Sequence, residues 1–423
     1  MLHLDISAAT AKLLTPTYGI TNQECTALRT TVRRYIEEWL QERKNGEHAW
    51  SMDPYNRPLR ERVQDCEKHI RSARRQSILW VGIGGSALGP RVIVDAFRSS
   101  KTPRIHILDT VDPSHIQHIV STLDWAETFV VIASKSGDTL ESMSLFFYLW
   151  DELRKKCKGK AKEHVLALTD PAEGSLRRFC MSQGIPMLPI PPRVGGRFSV
   201  FTPIGLLPMS LCGGSIDAFL QGAKEMDTLC QQTSLEENPA ALLAVVQFLL
   251  DTQKKNHLRI VMPYSERIRH IAEWDQQLIA ESLGKRAGAL PFPLAAHGPQ
   301  DQHSLLQQWL AGPRGFWHLF IREGEKPRLE IPTTVESAFT FIAGKTFGEL
   351  LDACEEGTAH ALTKKKHPHI TLSLSRLDEA HLGQLFFLFM VETIFLGKLY
   401  RIDPYGQPAV EQGKKITREI LSA

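Results

Sequence analysis

The sequence lacks any closely spaced pair of cysteines. Its seven cysteines, Cys25, Cys66, Cys157, Cys180, Cys212, Cys230 and Cys354, are odd in number and scattered, with no C-x-x-C among them. This speaks against a disulfide framework and a zinc ribbon and fits a reducing compartment. Excess charge of one sign is also missing: 50 basic and 47 acidic residues leave a net charge of +3. A general nucleic-acid or membrane-surface binder would carry a dominant positive field, so neither partner is expected. The basic runs RKKCKGKAK (154–162) and TKKKHPH (363–369) are short and separate, and read as solvated helix ends and loops. No apolar run suits a membrane span. The most apolar, LGQLFFLFMVETIFLG (382–397), carries Gln384 and Glu392 and reads as a core helix. The N-terminal MLHLDISAATAKLL has no charged region followed by an apolar one, so no signal peptide is read and a cytoplasmic location is expected.

What is present suffices for a multi-domain globular protein. The 423 residues are 43% apolar, enough to bury two or three domain cores and to argue against disorder. Residues 1–75 read as mostly helical, with apolar residues at helical spacing in ECTALRTTVRRYIEEWLQER (24–43). Short strand-like runs follow: SILWVGI (77–83), RIHIL (104–108), TFVVIA (128–133), HVLALT (164–169) and IPMLPI (185–190). A helical stretch near 215–245 precedes a second series: HLRIVMPY (257–264), GALPFPLA (288–295), FWHLFI (316–321) and HITLSLS (369–375). Strands alternating with helical patterns imply parallel βαβ units, hence an α/β protein. The expected organisation is a helical N-terminal arm (1–60), two α/β domains (61–230 and 231–400) and a C-terminal helical tail (401–423).

Six segments carry candidate chemistry. VGIGGSALGP (81–90) links a strand to a helix, so its glycines can bring backbone N–H groups to an anion. Gly82, Gly84 and Ala87 also spell the dinucleotide pattern GxGxxA, with Asp109 at the end of the next strand. A turn serving only helix–strand packing is the alternative. ASKSGDTLES (133–142) again joins a strand to a helix and offers Ser134, Ser136 and Thr139 with Lys135, a cradle for phosphate. Its plain alternative is a capping box, Asp138 with Glu141. Two anion loops on adjacent strands suggest one sugar phosphate rather than a nicotinamide cofactor. VGGRFSVFTPIG (194–205) sets Arg197 beside paired glycines, where an arginine can approach a ligand and stabilise an oxyanion, though most arginines are structural.

In WDQQLIAESLGKR (274–286), Gln277 and Glu281 share a helical face. HGPQDQHSLLQQ (297–308) brings His303 to the start of a helix. YRIDPYGQPAVEQGKK (400–415) places Gln407 and Lys414 around Glu411, with Pro408 suited to a first helical turn. Each of these three is weak alone, since exposed carboxylates and terminal lysines are usually just solvated.

Together the segments resemble the glucose-6-phosphate isomerase family. GIGGS, SKSGDT, GGRFS with TPIG, ESLGK, DQH and QPAVEQGK follow in family order from about residue 45 to the C-terminus. The resemblance implies two sugar-isomerase (SIS) domains, each a flavodoxin-like αβα sandwich around a parallel sheet. It implies interconversion of glucose 6-phosphate and fructose 6-phosphate by a homodimer without metal or nucleotide cofactor. By motif, Gly85, Ser86, Ser134, Lys135, Ser136 and Thr139 match the sugar-phosphate site, and Gln277 and Gln407 match further substrate contacts. Glu281 matches the isomerisation base, His303 and Lys414 the ring-opening pair, and Arg197 the enediolate stabiliser. In the family the histidine comes across the dimer interface.

The reaction needs these residue types. Ring opening moves a proton from a hydroxyl to the ring oxygen, within reach of a histidine and a lysine. One carboxylate can then carry a proton between C2 and C1 across a cis-enediol, while a fixed cation stabilises the enediolate. Three departures bear on affinity and loop shape: Asp138 where the family usually has threonine, Pro192 before VGGR, and Gly406 before Gln407. A non-catalytic SIS-type sugar-phosphate sensor and a nicotinamide-dependent dehydrogenase are the rival readings. The second leaves SKSGDT, GGRFS and the tail motif unexplained.

Overall fold

The computed structural model describes residues 2–286 and 291–423. Ten strands lie among them: β1 (His3–Asp5), β2 (Ser77–Val81), β3 (Arg104–Leu108), β4 (Thr128–Ala133), β5 (Val165–Thr169), β6 (Met187–Pro189), β7 (Leu258–Tyr264), β8 (Phe292–Ala295), β9 (Phe316–Glu323) and β10 (His369–Leu374). The chain forms two compact units, Glu42–Lys224 and the residues up to Gln41 together with Glu225–Ala423.

In Glu42–Lys224 the five strands are all parallel in the order β3-β2-β4-β5-β6. This is the flavodoxin-like order. Every residue of β4 and β5 is buried, as both-face coverage by crossover helices requires. Leu79, Val81, Val130 and Ile132 pack with Phe146, Leu149 and Leu153 of the helix Leu140–Lys156. Because β2 and β4 are central neighbours whose connections leave toward opposite edges, their carboxyl ends flank the topological switch point.

The second unit repeats the parallel pattern in β8-β7-β9-β10 and adds β1 antiparallel to β10 at the edge. The chain start is therefore not simply helical: Leu4 pairs with Leu372 in a strand of three residues, too short to show a period-2 pattern. Residues 288–290 of the run read as a strand at 288–295 lie outside the described residues; the strand observed is Phe292–Ala295.

Among the described residues one helix, Glu379–Tyr400, is long and apolar enough to cross a membrane, and 94% of its apolar window is buried inside the protein. It is apolar all round, as a central core helix should be. Its Phe386 meets Trp274 edge-on at 4.6 Å. Its Glu392 belongs to a fully buried cluster. Arg259 of β7 donates to Asp275 (2.8 and 3.1 Å), to Glu392 (2.5 and 3.2 Å) and to Gln247. The guanidinium lies 5.6 Å from both the Trp317 and the Phe389 ring. Asp275 sits in the helix Ile271–Leu283, so this cluster pins the element that carries Gln277 and Glu281.

Candidate active site

Two loops leave the carboxyl ends of β2 and β4. After β2, a tight turn at Gly84–Ser86 precedes the helix Leu88–Phe97, and Gly84 has a left-handed φ of 54°. The Trp80 indole N–H donates to the Ser86 carbonyl at 2.8 Å and fixes the turn from below. Gly85 meets the next segment directly: a Cβ here would collide with the Gly196 carbonyl. Gly85 and Ser86 are half-buried.

After β4, Ser134 is almost fully buried, and its hydroxyl accepts from the Gly137 N–H at 3.2 Å. Its Oγ is 3.4 Å from the Thr139 Oγ1. Gly137 has φ 68°, and a Cβ would press on the Leu176 backbone. Ser136 is exposed, and its Oγ accepts from the Asp138 N–H at 3.3 Å. The alternative, a capping box with Asp138 as N-cap, is not what the helix start shows. The N-cap is Thr139, without a side-chain capping bond, and Glu141 falls in the first turn of Leu140–Lys156. Asp138 sits one residue too early to cap and is exposed.

Lys135 is half-buried. Its ammonium donates to the carbonyls of Pro192 at 2.5 Å and Val194 at 2.9 Å. Burial pushes its pKa below the ordinary lysine value, and Asp170 opposes that shift. Lys135 also helps line a cavity of about 590 Å³ with Ser136, Asp138, Asp170, Arg178 and Pro192.

Arg197 lies in the tight turn Gly196–Phe198 and is only 5% exposed. Its guanidinium is 5.5 Å from the Phe198 ring, which stacks on Trp50 at 5.3 Å. The TPIG segment opens the helix Pro203–Leu211, where the Thr202 Oγ1 accepts from the Ile204 N–H and a Cβ on Gly205 would strike the Val200 carbonyl.

In the second unit the Gln277 Nε2 donates to Glu281 Oε1 at 2.8 Å, while the buried Gln277 Oε1 has no hydrogen-bond partner. The Glu273 carboxylate lies 3.5 Å from His297, linking this helix to the segment before His303. His303 is exposed in the short helix Gln300–Ser304. Gln407 and Lys414 are exposed on the tail, where the helix starts at Val410, two residues beyond Pro408. Lys414 pairs with Glu411 at 2.7 Å.

The structure thus brings Gly85 against Arg197's turn, Ser134 to Thr139, and Gln277 to Glu281. It also shows residues that motif reading passed over. Lys285 of ESLGK donates to the carbonyls of Asp403 (2.6 Å) and Tyr405 at the base of the tail. Its signal was a lysine just past a helix end. Among the described residues, no group of three or more His, Cys, Asp or Glu could hold a metal ion.

Comparison with known proteins places the chain in a family. Residues 52–290, over half of the chain, match the sequence profile of the family described as Phosphoglucose isomerase. A glucose-6-phosphate isomerase from Carboxydothermus hydrogenoformans is 34% identical over 383 residues, covering 85% of this chain and 82% of the relative. One from Rubrobacter xylanophilus is 32% identical over 426 residues, covering 98% and 97%. The crystal structure of a hypothetical protein from Thermus thermophilus superimposes with a TM-score of 0.88 at 31% identity, covering 100% of both chains. A matching profile and relatives above 30% identity along most of its length show that the chain belongs to the phosphoglucose isomerase family.

Proposed function

We propose that this chain is an aldose–ketose isomerase that interconverts glucose 6-phosphate and fructose 6-phosphate, the activity for which its relatives are named. The reaction is a step of glycolysis and gluconeogenesis. The observation that carries the site assignment is the seating of the buried Arg197 turn directly on Gly85, beside the hydroxyl-rich loop after β4. A dehydrogenase has no use for that second loop or for the arginine, and nothing favours a non-catalytic sensor.

In this reading the phosphate is held by Ser86, Ser136 and Thr139 with backbone N–H groups of both loops, and Ser134 and Gly137 set the loop's shape. His303 and Lys414 move the proton that opens the ring. Glu281 then takes the C2 proton and returns it to C1. Gln277 supports this by donating to Glu281 Oε1, and it offers its unpaired Oε1 to a substrate hydroxyl. Arg197, preorganised by burial, stabilises the enediolate. Gln407 adds a contact from the tail. The scheme transfers protons within one substrate and calls for no cofactor.

The partner is a second copy of the chain, and the exposed His303 fits a residue offered to a neighbour's site. Leu329, Phe339, Phe341 and Phe347 are also exposed, more apolar surface than scattered single residues explain.

The test is a coupled assay on fructose 6-phosphate with folded protein, alongside Glu281→Gln. The variant should lose about 10²–10⁴-fold in turnover and keep its affinity for inorganic phosphate. Near-full turnover in the variant would remove Glu281 from the role of base, and an inactive wild type would remove the functional reading.

A further inference from the structure

Lys135 stands in the middle of the phosphate loop, where a cation invites assignment as a phosphate ligand. Its side chain is engaged elsewhere. The ammonium donates to two carbonyls 57 and 59 residues away, at 2.5 Å to Pro192 and 2.9 Å to Val194. Those carbonyls bracket Arg193 and lie immediately before Gly195 and Gly196. The segment is also tied by the Arg193 guanidinium, which donates to the Gly46 carbonyl at 3.4 Å. Pro191 and Pro192 have no N–H, and the turns close by short local bonds: Val194 N–H to the Pro191 carbonyl (3.1 Å), Phe198 N–H to Gly195 (3.0 Å) and Ser199 N–H to Gly196 (3.2 Å). A charged donor reaching two convergent carbonyls is a strong tie, of the kind that fixes a loop. On the other side the same turn abuts Gly85.

We infer that Lys135 is a positioning residue whose side chain braces the 192–194 strap and thereby sets Arg197, leaving the phosphate to the hydroxyls and backbone amides of the loop. This rests on the isomerase reading for the role of Arg197, but the brace itself is a property of the fold. An ammonium already held by two carbonyls has a reduced claim on a phosphate, and moving it to the ligand would release the strap.

The experiment uses full-length chain with Lys135→Met and Lys135→Gln. Three quantities are read: hydrogen exchange over residues 191–201, affinity for inorganic phosphate, and kcat and KM on fructose 6-phosphate. In Lys135→Met the Phe198 and Ser199 amides should exchange about tenfold faster or more. Turnover should drop by about tenfold or more through misplacement of Arg197. Phosphate affinity should stay within about twofold, because its donors remain. Lys135→Gln keeps an N–H donor and should fall between wild type and Met; it is read by the same criteria if the methionine variant does not fold. Unchanged exchange overturns the brace, and so does a loss of phosphate affinity comparable to the loss of turnover. A wild-type chain without isomerase activity would refute the functional reading while leaving the exchange result to decide the brace.

Discussion

Replacing Arg259 by methionine should be among the most damaging single changes to this protein. All five N–H groups of the guanidinium are used, on Asp275, Glu392 and Gln247, and the arginine and both acids are 0% exposed. The cluster carries two potential negative charges against one positive, so burial already drives the Glu392 carboxyl well above its ordinary value despite the arginine. Removing the arginine leaves both acids buried without a cation. Breaking a buried pair costs about 3–5 kcal/mol. With two orphaned carboxylates the upper end applies, roughly 5 kcal/mol, lowered by whatever proton Glu392 already holds. The sign with pH follows. In the variant both acids have folded-state pKa values above their unfolded ones, so the unfolded chain binds fewer protons and stability falls as pH rises from about 4 to 7. Urea titrations at pH 5 and pH 7, followed by tryptophan fluorescence, measure both quantities. Arg259→Met combined with Asp275→Asn and Glu392→Gln should recover most of the loss. A single variant that loses under about 1 kcal/mol at pH 7, or whose deficit shrinks as pH rises, would refute the argument.

Other outcomes follow from particular contacts. Gly85→Ala should cost about 1–3 kcal/mol and lower kcat/KM, because the methyl group displaces the Gly196 carbonyl and Arg197 with it; full activity at wild-type stability would contradict the close approach. Asp138→Thr should lower the KM for fructose 6-phosphate a few-fold and change stability by less than about 0.5 kcal/mol, since Thr139 is the N-cap; a clear stability loss would restore Asp138 as a cap. Burial pushes His369 from 6.5 to about 4. It does the same to His367, and it holds the fully buried His318 well below 6.5. Their unfolded forms bind protons first, so stability should be complete above about pH 6.5 and fall toward pH 4, by up to about 3 kcal/mol for His369 alone. His369→Gln should flatten that slope in urea midpoints measured against pH.

The parallel sheets were legible because strands buried on both faces read as short apolar runs. TFVVIA and HVLALT became β4 and β5 nearly to the residue. β1 was not, because His3–Asp5 is a strand only by virtue of its pairing with residues 371–373. The turns after β2 and β4 were legible through their glycines and hydroxyls, whose hydrogen bonds are local. The partners of Lys135 and Arg259 are remote, with Glu392 lying 133 residues from Arg259, and local patterning carries no trace of such pairs. The helix LESMSLFFYLWDELRKK was legible to the residue, whereas its N-cap was not, because Asp138 and Thr139 are both good N-cap types and only the backbone chooses. Gln407 and Lys414 are candidates through the family motif, and both are exposed on the tail.

Lys285 gives the tail a mechanical character. By gripping the carbonyls of Asp403 and Tyr405, it fixes the point from which the last helix departs, two residues beyond the end of the helix that carries Glu281. From Tyr405 only a handful of residues lead to the helix that begins at Val410. A group on so short a tether explores a small volume, and its local concentration is on the order of millimolar or more. Lys414 thus rides on a leash whose anchored end is held by Lys285 of the ESLGK motif.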